Sequence, residues 1–415
     1  MILNKAALKK LFLNIKKGDY AAINRALVYL VFNALGLFLA VPVIILLWIL
    51  KPFCWIKVGK LHHGRIGHLG LETDLFLRRC QLGIFSDKPF YFFLCDSRNV
   101  ANRQLLEMFK RVLRIYESRI LVSIFDGISP LFKRTPFYQA LGVDYNEYFE
   151  FNHGQPSIGF TPDEIQKGRK LLSKMNIDFD NDKYVCVFAR DSVFLNKTMS
   201  HQNWEYHNNR NADIDTFIEA IKYLIEEGFT VVRVGSVVLK PISYSHPRLI
   251  DYSVSEYQCE FLDIFFMGTC RFFIGSPSGI GDVATIFDIP MVNVSMCEFS
   301  LVPFGKNCLH IRKKFKLINT GQYLDFKKGV ELKLAAIPKN LQELGLELEN
   351  NNSHEILEIT REIVSRLEGT FKYSPEEEKL IKAYRTLWAQ SKMAGCDVPT
   401  PIGIGWLKEN QDLYF

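Results

Sequence analysis

No C-x-x-C pair occurs anywhere in the 415 residues, although nine cysteines are scattered at Cys54, Cys80, Cys95, Cys186, Cys259, Cys270, Cys297, Cys308 and Cys396. That arrangement argues against a zinc site, and the odd total argues against a disulfide framework and for a reducing compartment. Charge of one sign is not concentrated either. The 51 Lys and Arg stand against 45 Asp and Glu, for a net charge of +6 and a pI near 8.7. The basic residues form no stripe of the kind that grips nucleic acid, so acidic ligands or an anionic membrane are the expected partners and nucleic acid is not. There is no internal repeat of fixed period, and "ELGLELENNNSHE" alone resembles a low-complexity linker. With 48% hydrophobic and 23% charged residues, the chain is globular and long enough for two packed domains.

What is present at the N-terminus is an uncharged run over 26–50, bounded by Arg25 and Lys51 and long enough to cross a bilayer. It is too long for a signal-peptide core, and no convincing small-residue cleavage site follows it. Ahead of it, "LKKLFLNIKK" alternates Leu, Phe and Ile with Lys, as an interfacial amphipathic helix does. Lys5, Lys9, Lys10, Lys16 and Lys17 favour a cytoplasmic N-terminus, yet Lys51, Lys57, Lys60 and Arg65 make the other flank basic too. A kink at Pro42 would reconcile the two flanks by folding the run into a re-entrant hairpin; a simple single span is the alternative.

Beyond residue 60, short apolar runs alternate with helical patterns, the signature of α/β units with parallel strands. "PFYFFLCD" and "RILVSI" read as strands of a first domain. In "TPDEIQKGRKLLSKM", Thr161 is an N-cap, Pro162 the first helical residue and Glu164 the closing member of a capping box, which places a domain boundary there. Six strand candidates follow in "KYVCVFA", "TVVRVG", "RLIDY", "RFFIG", "PMVNV" and "CLHI", enough for a second doubly wound domain. The helix "DIDTFIEAIKYLIEEG" aligns Phe217, Ile218, Ile221, Leu224 and Ile225 on one face and stops at Gly228. "SPEEEKLIKAYRTLWAQ" repeats the cap logic with Ser374, Pro375 and Glu377 and opens a C-terminal helix. The expected division is a membrane anchor over 1–60, a first Rossmann-like domain over 61–160, a second over 161–345 and a helical tail over 346–415.

Two features of the second domain point to an anion. The loop 276–281 lies between the strand "FFIG" and the helix "GDVATIF", where unpaired N–H groups and the positive end of a helix dipole converge; Ser276 and Ser278 add hydroxyls, and Gly275, Gly279 and Gly281 permit close backbone approach. A tight turn is the plainer use of the same residues. Arg190 follows the strand "KYVCVFA", again at a carboxyl end, and an arginine fork matches a pyrophosphate. Its plainer use is a clamp with Asp191 or Asp213. Arg210 and Asn211 lie in "YHNNRNAD", where His207 is either a base or a surface residue, and Arg233 interrupts its strand as an ion-pair partner or a ligand contact. "DFD" at 178–180 precedes its strand and reads as a polar turn, not as a metal-binding D-x-D.

Together, "RIGHLG", "FARDS", "YHNNRNADI" and "FFIGSPSGIGDVATIFDIPMVNVS" resemble the bacterial glycosyltransferases of surface-polysaccharide clusters, over roughly 61–415. "SRNVANRQLLEMFKR" and "PIGIGWLKENQDL" extend the likeness. The resemblance implies a GT-B architecture, two Rossmann-like α/β domains facing a cleft, here preceded by a membrane-associated helical segment. It implies a nucleotide-sugar donor on the second domain, an acceptor on the first, and a C-terminal helix crossing back to the first. "FIGSPSGIGDVATIF" is similar to the donor-phosphate region of heptosyltransferase-like and fucosyltransferase-like enzymes; Asp282 stands where those families often carry histidine, so backbone and hydroxyl contacts to phosphate are expected. "GRIGHLG" resembles the glycine-rich acceptor loop, with Gly64 and Gly67, and directs His68 at the reacting centre. Glu72 shares a helical face with His68, Asp74 is nearby, and either His68 or Glu72 is the candidate general base.

The reading is a membrane-attached transferase that moves a sugar from a nucleotide diphosphate to a polysaccharide or lipid-linked acceptor, at the cytoplasmic face of the inner membrane. Arg190, Arg210, Asn211 and the loop Gly275, Ser276, Ser278, Gly279 and Asp282 would hold the donor, with no metal or other cofactor expected. A nucleotide-sugar isomerase or hydrolase on the same scaffold would not need the anchor. A non-catalytic scaffold that binds the nucleotide sugar would not need the polar groups of "RIGHLG".

Overall fold

The computed structural model describes residues 20–85, 89–193, 205–334, 341–393, 395 and 402–415. The amphipathic stretch ahead of the apolar run, Cys396 and the side chain of His207 lie outside the described residues. The chain divides into two compact units, Met1–Gly142 and Val143–Phe415, and not at 160/161. The reason is packing: the Tyr148 hydroxyl donates to the Val302 carbonyl at 2.8 Å, Phe151 stacks on Phe304 and Phe160 on Phe287, which ties 143–160 to the second unit.

In the first unit, helix α1 (Tyr20–Leu50) runs unbroken through Pro42, so the hairpin expected from that proline does not form. Pro42 lies on the exposed side of the helix. Strands β1 (Ile56–Lys60), β2 (Phe90–Cys95) and β3 (Arg114–Glu117) pair in parallel in that order, and Val58 bridges to Tyr138 in parallel. Between them run α2 (Thr73–Gln81), α3 (Arg103–Lys110) and α4 (Arg119–Phe132). The Asn102 side chain caps α3 by accepting from the Leu105 N–H at 2.9 Å, and Ser118 caps α4 by accepting from Leu121 at 3.3 Å. "RILVSI" is therefore the first part of α4 and not a strand. A short apolar run fits either element, and the Ser118 cap with the spacing of buried Val122, Phe125, Ile128 and Phe132 decides for helix.

The second unit is built on a six-stranded, wholly parallel sheet. Its elements are α5 (Tyr148–His153), α6 (Pro162–Ser173), β4 (Tyr184–Phe188), α7 (Ile218–Glu226), β5 (Thr230–Arg233), β6 (Leu249–Asp251), α8 (Glu260–Thr269), β7 (Phe273–Gly275), α9 (Gly279–Ile286), β8 (Met291–Met296) and β9 (Leu309–Arg312). The strand order is β6-β5-β4-β7-β8-β9, with Cys186 of β4 flanked by Val232 and Phe273. All six expected strands form. This is the doubly wound 3-2-1-4-5-6 order, whose winding reverses between β4 and β7. The antiparallel pair β10 (Lys314–Leu317) and β11 (Leu346–Glu349) flanks α10 (Phe326–Glu331), and α11 (Ser353–Leu367), α12 (Pro375–Ser391) and α13 (Ile404–Glu409) complete the unit.

Local signals set the helix limits. Both expected capping boxes are present, at Thr161/Glu164 and Ser374/Glu377, and Gly228 turns the chain after α7 with φ +85°. The C-terminal residues belong to this unit's core rather than forming a separate tail: Ile356, Ile359 and Trp388 are buried in one cluster with Phe217, Ile221 and Val292.

Candidate functional site

The winding reversal brings two of the expected site segments into contact. Because β4 and β7 are neighbours, their carboxyl-end loops meet, and the Arg190 backbone N–H donates to the buried Ser276 hydroxyl at 2.8 Å. The Arg190 guanidinium donates to the Asn211 side-chain carbonyl, while the Arg190 carbonyl accepts from the Ala212 N–H at 3.0 Å. Asp191 and Asp213, the clamp partners considered from sequence, carry other bonds: Asp191 accepts from the Val193 and Leu239 N–H groups at 2.9 and 2.7 Å, and Asp213 pairs with Lys240 at 2.8 Å.

Helix α9 starts at this junction. Ser278 is its N-cap in extended backbone, and its side chain accepts no capping bond; the hydroxyl is buried and has no partner among the described residues. Asp282 sits in the first turn. Gly275 is explained by packing rather than by a ligand, since a Cβ there would lie 2.8 Å from the Phe188 carbonyl and 2.5 Å from the Phe273 ring. Arg210 lies with its Nε 3.2 Å from a carboxylate oxygen of Glu298, so its charge is countered within the protein.

A cation that sequence reasoning missed completes the arrangement. Lys313 follows β9 at the same sheet edge, is only 4% exposed, and donates from Nζ to the Asn211 carbonyl at 2.7 Å. Burial pushes its ammonium down to about 8; Glu298 opposes that shift and Arg190 adds to it. Asn211 thus joins Arg190 and Lys313, two mutually repelling cations. The signal available was the basic triplet "RKK" immediately after the apolar run "CLHI". Beside them lies a cavity of about 380 Å³, whose lining includes Asn208, Asn211, Lys313, Leu341 and Leu346.

In the first unit the loop after β1 leads into one turn of π-helix over His68–Glu72, continuous with α2. Glu72 is 6% exposed, and its two carboxylate oxygens meet His68 Nδ1, at 2.5 Å, and His62 Nδ1. Burial alone would raise the Glu72 carboxyl, but the bonds from the two imidazoles outweigh it and hold it down at about 2. A carboxylate so held is a poor proton acceptor; it orients His68, whose side chain is 41% exposed. His62, missed from sequence, was signalled only by its place in "LHHGRIGH". The ligand atoms of His62, His68 and Glu72 lie within 4.8 Å of one another, so these three residues are also the candidates in the described structure for holding a metal ion. Asp74 is structural, in a fully buried ion pair with Arg78 at 2.6 Å.

Not every glycine or charged residue singled out from sequence has a strained or exposed role. Gly64 has its nearest Cβ neighbour at 3.8 Å, and Gly67 adopts right-handed helical dihedrals. Arg233 is structural: 2% exposed, it donates to the Lys240 carbonyl at 2.7 Å and to Asp251 at 3.2 Å. The "DFD" segment is a hydrogen-bonded turn, with the Asp178 carboxylate accepting from the Asp180 N–H at 3.0 Å and from Asn181 at 2.8 Å.

No family model matches the chain, and no curated protein does. Among solved structures, it resembles the E. coli ADP-heptose LPS heptosyltransferase II, with 12% identity, 62% of this chain and 90% of that one covered, and a TM-score of 0.40. A family 9 glycosyl transferase from Veillonella parvula matches with 10% identity, 75% and 98% coverage and a TM-score of 0.43. The iron-containing dodecameric heptosyltransferase TibC of enterotoxigenic E. coli, in complex with ADP-D-β-D-heptose, matches with 12% identity, 76% and 78% coverage and a TM-score of 0.35.

Proposed function

We propose that the chain is a membrane-associated glycosyltransferase that moves a sugar from a nucleoside-diphosphate sugar to a polysaccharide or lipid-linked acceptor at the cytoplasmic face of the inner membrane. One observation carries the reading: two cations, Arg190 and Lys313, are gathered at the carboxyl edge of a doubly wound sheet, next to a helix N-terminus and the Ser278 hydroxyl, which has no partner among the described residues. Holding two like charges together with one of them desolvated costs stability, and a dianionic diphosphate offsets that cost. The adjoining cavity of about 380 Å³ suits the nucleoside of the donor.

In the transfer, an acceptor hydroxyl oxygen attacks the anomeric carbon while that carbon's bond to the diphosphate oxygen breaks. The electron pair leaves with the nucleoside diphosphate, whose charge is countered by Arg190, Lys313 and the N-terminus of α9. Within the first unit His68 is the candidate base: Glu72 engages its Nδ1 and leaves Nε2 to take an acceptor proton. The first unit takes the acceptor and the second the donor. The apolar α1 keeps the enzyme at the bilayer where a lipid-linked acceptor is confined.

The test is incorporation of labelled sugar from a panel of nucleoside-diphosphate sugars into lipid-extractable or polymeric product, using membranes that contain the full chain. Transfer that is lost in Arg190→Ala supports the proposal. Release of free sugar with no product, or binding without turnover, would replace it with a hydrolase or a scaffold.

A further inference from the structure

Helix α1 is uncharged from residue 26 onwards in sequence but two-faced in the folded protein. One face is locked to α4: a Cβ on Gly36 would lie 2.0 Å from the Ile124 carbonyl oxygen, and one on Gly127 would lie 1.9 Å from that of Asn33. The two helices therefore touch backbone to backbone at both glycines. Ala40 packs with Phe125, Ile128 and Phe132, and Trp48 meets Phe137 edge-on at 5.2 Å. The Tyr29 hydroxyl donates to Asp126 at 3.2 Å, and Lys60 of β1 donates to both oxygens of the same carboxylate at 2.7 and 2.9 Å. On the opposite face Leu27, Val31, Leu35, Phe38, Val41, Ile45 and Ile49 are all exposed. They recur every three or four residues, so they form one stripe of roughly 33 Å at 1.5 Å per residue.

An upright crossing conflicts with these contacts. It would draw α4, the edge of the parallel sheet and the Lys60–Asp126 pair towards the hydrocarbon, where unpaired backbone and charged groups are costly. Lying in the plane of the surface, the helix buries its stripe in one leaflet and keeps α4 at the headgroups. The flanking chemistry fits that placement. Lys51 lies over the rings of Trp48 and Trp55, 4.9 Å from each centroid, and Lys57 lies 5.1 Å from that of Trp55. Phe53 is 88% exposed, and Lys133 lies over Tyr138 of the cluster shared with α1. Aromatic rings beside cations are the side chains of an anionic headgroup region. An in-plane helix also satisfies the basic residues on both flanks, which favour the same side of the membrane.

We infer that α1, backed by α4, is an in-plane docking face for one leaflet of an anionic bilayer and not a bilayer-crossing span. This rests on the membrane part of the function proposed above and is independent of sugar transfer. The full chain, with Cys54, Cys80, Cys259 and Cys396 replaced by serine and the five buried cysteines kept, would carry one added cysteine at Tyr20→Cys or Phe53→Cys and be treated with an impermeant maleimide, the parent without the addition giving the background. Both positions should label in inverted inner-membrane vesicles and neither in intact spheroplasts; labelling of either one in spheroplasts overturns the inference. Separately, the protein should sediment with phosphatidylglycerol-containing vesicles, at least tenfold less in Phe38→Glu, a change on the exposed face. Undiminished sedimentation of Phe38→Glu, or self-association through this face in place of vesicle binding, would also overturn it. Nucleotide affinity measured on the same samples reports on the donor site separately.

Discussion

Lys313 offers a prediction in which stability and function move in opposite directions. Its ammonium is held near 8 instead of 10.5, a difference of about 3 kcal/mol against the charged form at neutral pH. Replacing it by methionine removes that penalty with little change in shape. The loss of its bond to the Asn211 carbonyl returns about 1 kcal/mol. The net expectation is a gain of about 2 kcal/mol for the nucleotide-free protein, seen as a rise in Tm of roughly 4–8 °C. The same variant should bind nucleoside diphosphate about tenfold or more weakly, because a charge-assisted contact to phosphate is lost. The pH dependence has a definite sign. Between about 8 and 10.5 the unfolded chain holds a proton that the folded one does not, so the wild type should gain stability relative to Lys313→Met as pH rises through that window. Below about 8 both states are protonated and the difference should be flat. Thermal melts and calorimetric titrations on both proteins, from pH 6 upwards, read all of this. A Lys313→Met protein that is less stable yet binds nucleotide normally would refute the assignment of Lys313 to a ligand site.

Three further outcomes follow from the same geometry. Arg190→Ala should weaken nucleoside-diphosphate binding by roughly 10- to 150-fold, the value of about 1.5–3 kcal/mol for a charged contact, with the circular dichroism spectrum unchanged; unaltered affinity would remove Arg190 from the phosphate site. His68→Ala should lower turnover by about 100-fold or more with donor affinity preserved; Glu72→Gln should lower kcat rather than raise KM, and Glu72→Asp should restore part of the loss if the role is positioning. Asp74→Ala leaves the buried Arg78 guanidinium without its partner and should destabilise the first unit by about 3–5 kcal/mol. Nucleotide binding by folded Asp74→Ala protein should persist, so a specific loss of affinity without loss of Tm would contradict the structural role.

The second unit was more legible in the sequence than the first. Its strands are continuous runs such as "KYVCVFA" and "PMVNV", which parallel burial on both faces requires, and its helices carry caps whose hydrogen bonds are local. In the first unit β1 reads "IKVGK" and β3 "RIYE", where Lys, Gly and Arg break the apolar run, and "RILVSI" fits either element until the Ser118 cap is seen. The unit boundary depended on ring contacts such as Phe151 on Phe304, which no local pattern encodes. For the site, Arg190 and Ser276 stood out because each follows a strand. Lys313 and His62 gain their meaning from partners at Asn211 and Glu72, and those pairings exist only once strand order and the π-turn are set. The exposed stripe of α1 was equally hidden, because a helix with apolar residues on every side reveals its free face only when α4 has taken the other.

The most direct test of the central claim is a calorimetric titration of the detergent-solubilised full chain with GDP, UDP, ADP and CMP, repeated with Arg190→Ala. Saturable binding of one nucleoside diphosphate, weakened at least tenfold in the variant, is the expected result. Folded protein that binds none of them, or binds one with an affinity indifferent to Arg190, would contradict a diphosphate site at the junction of β4 and β7.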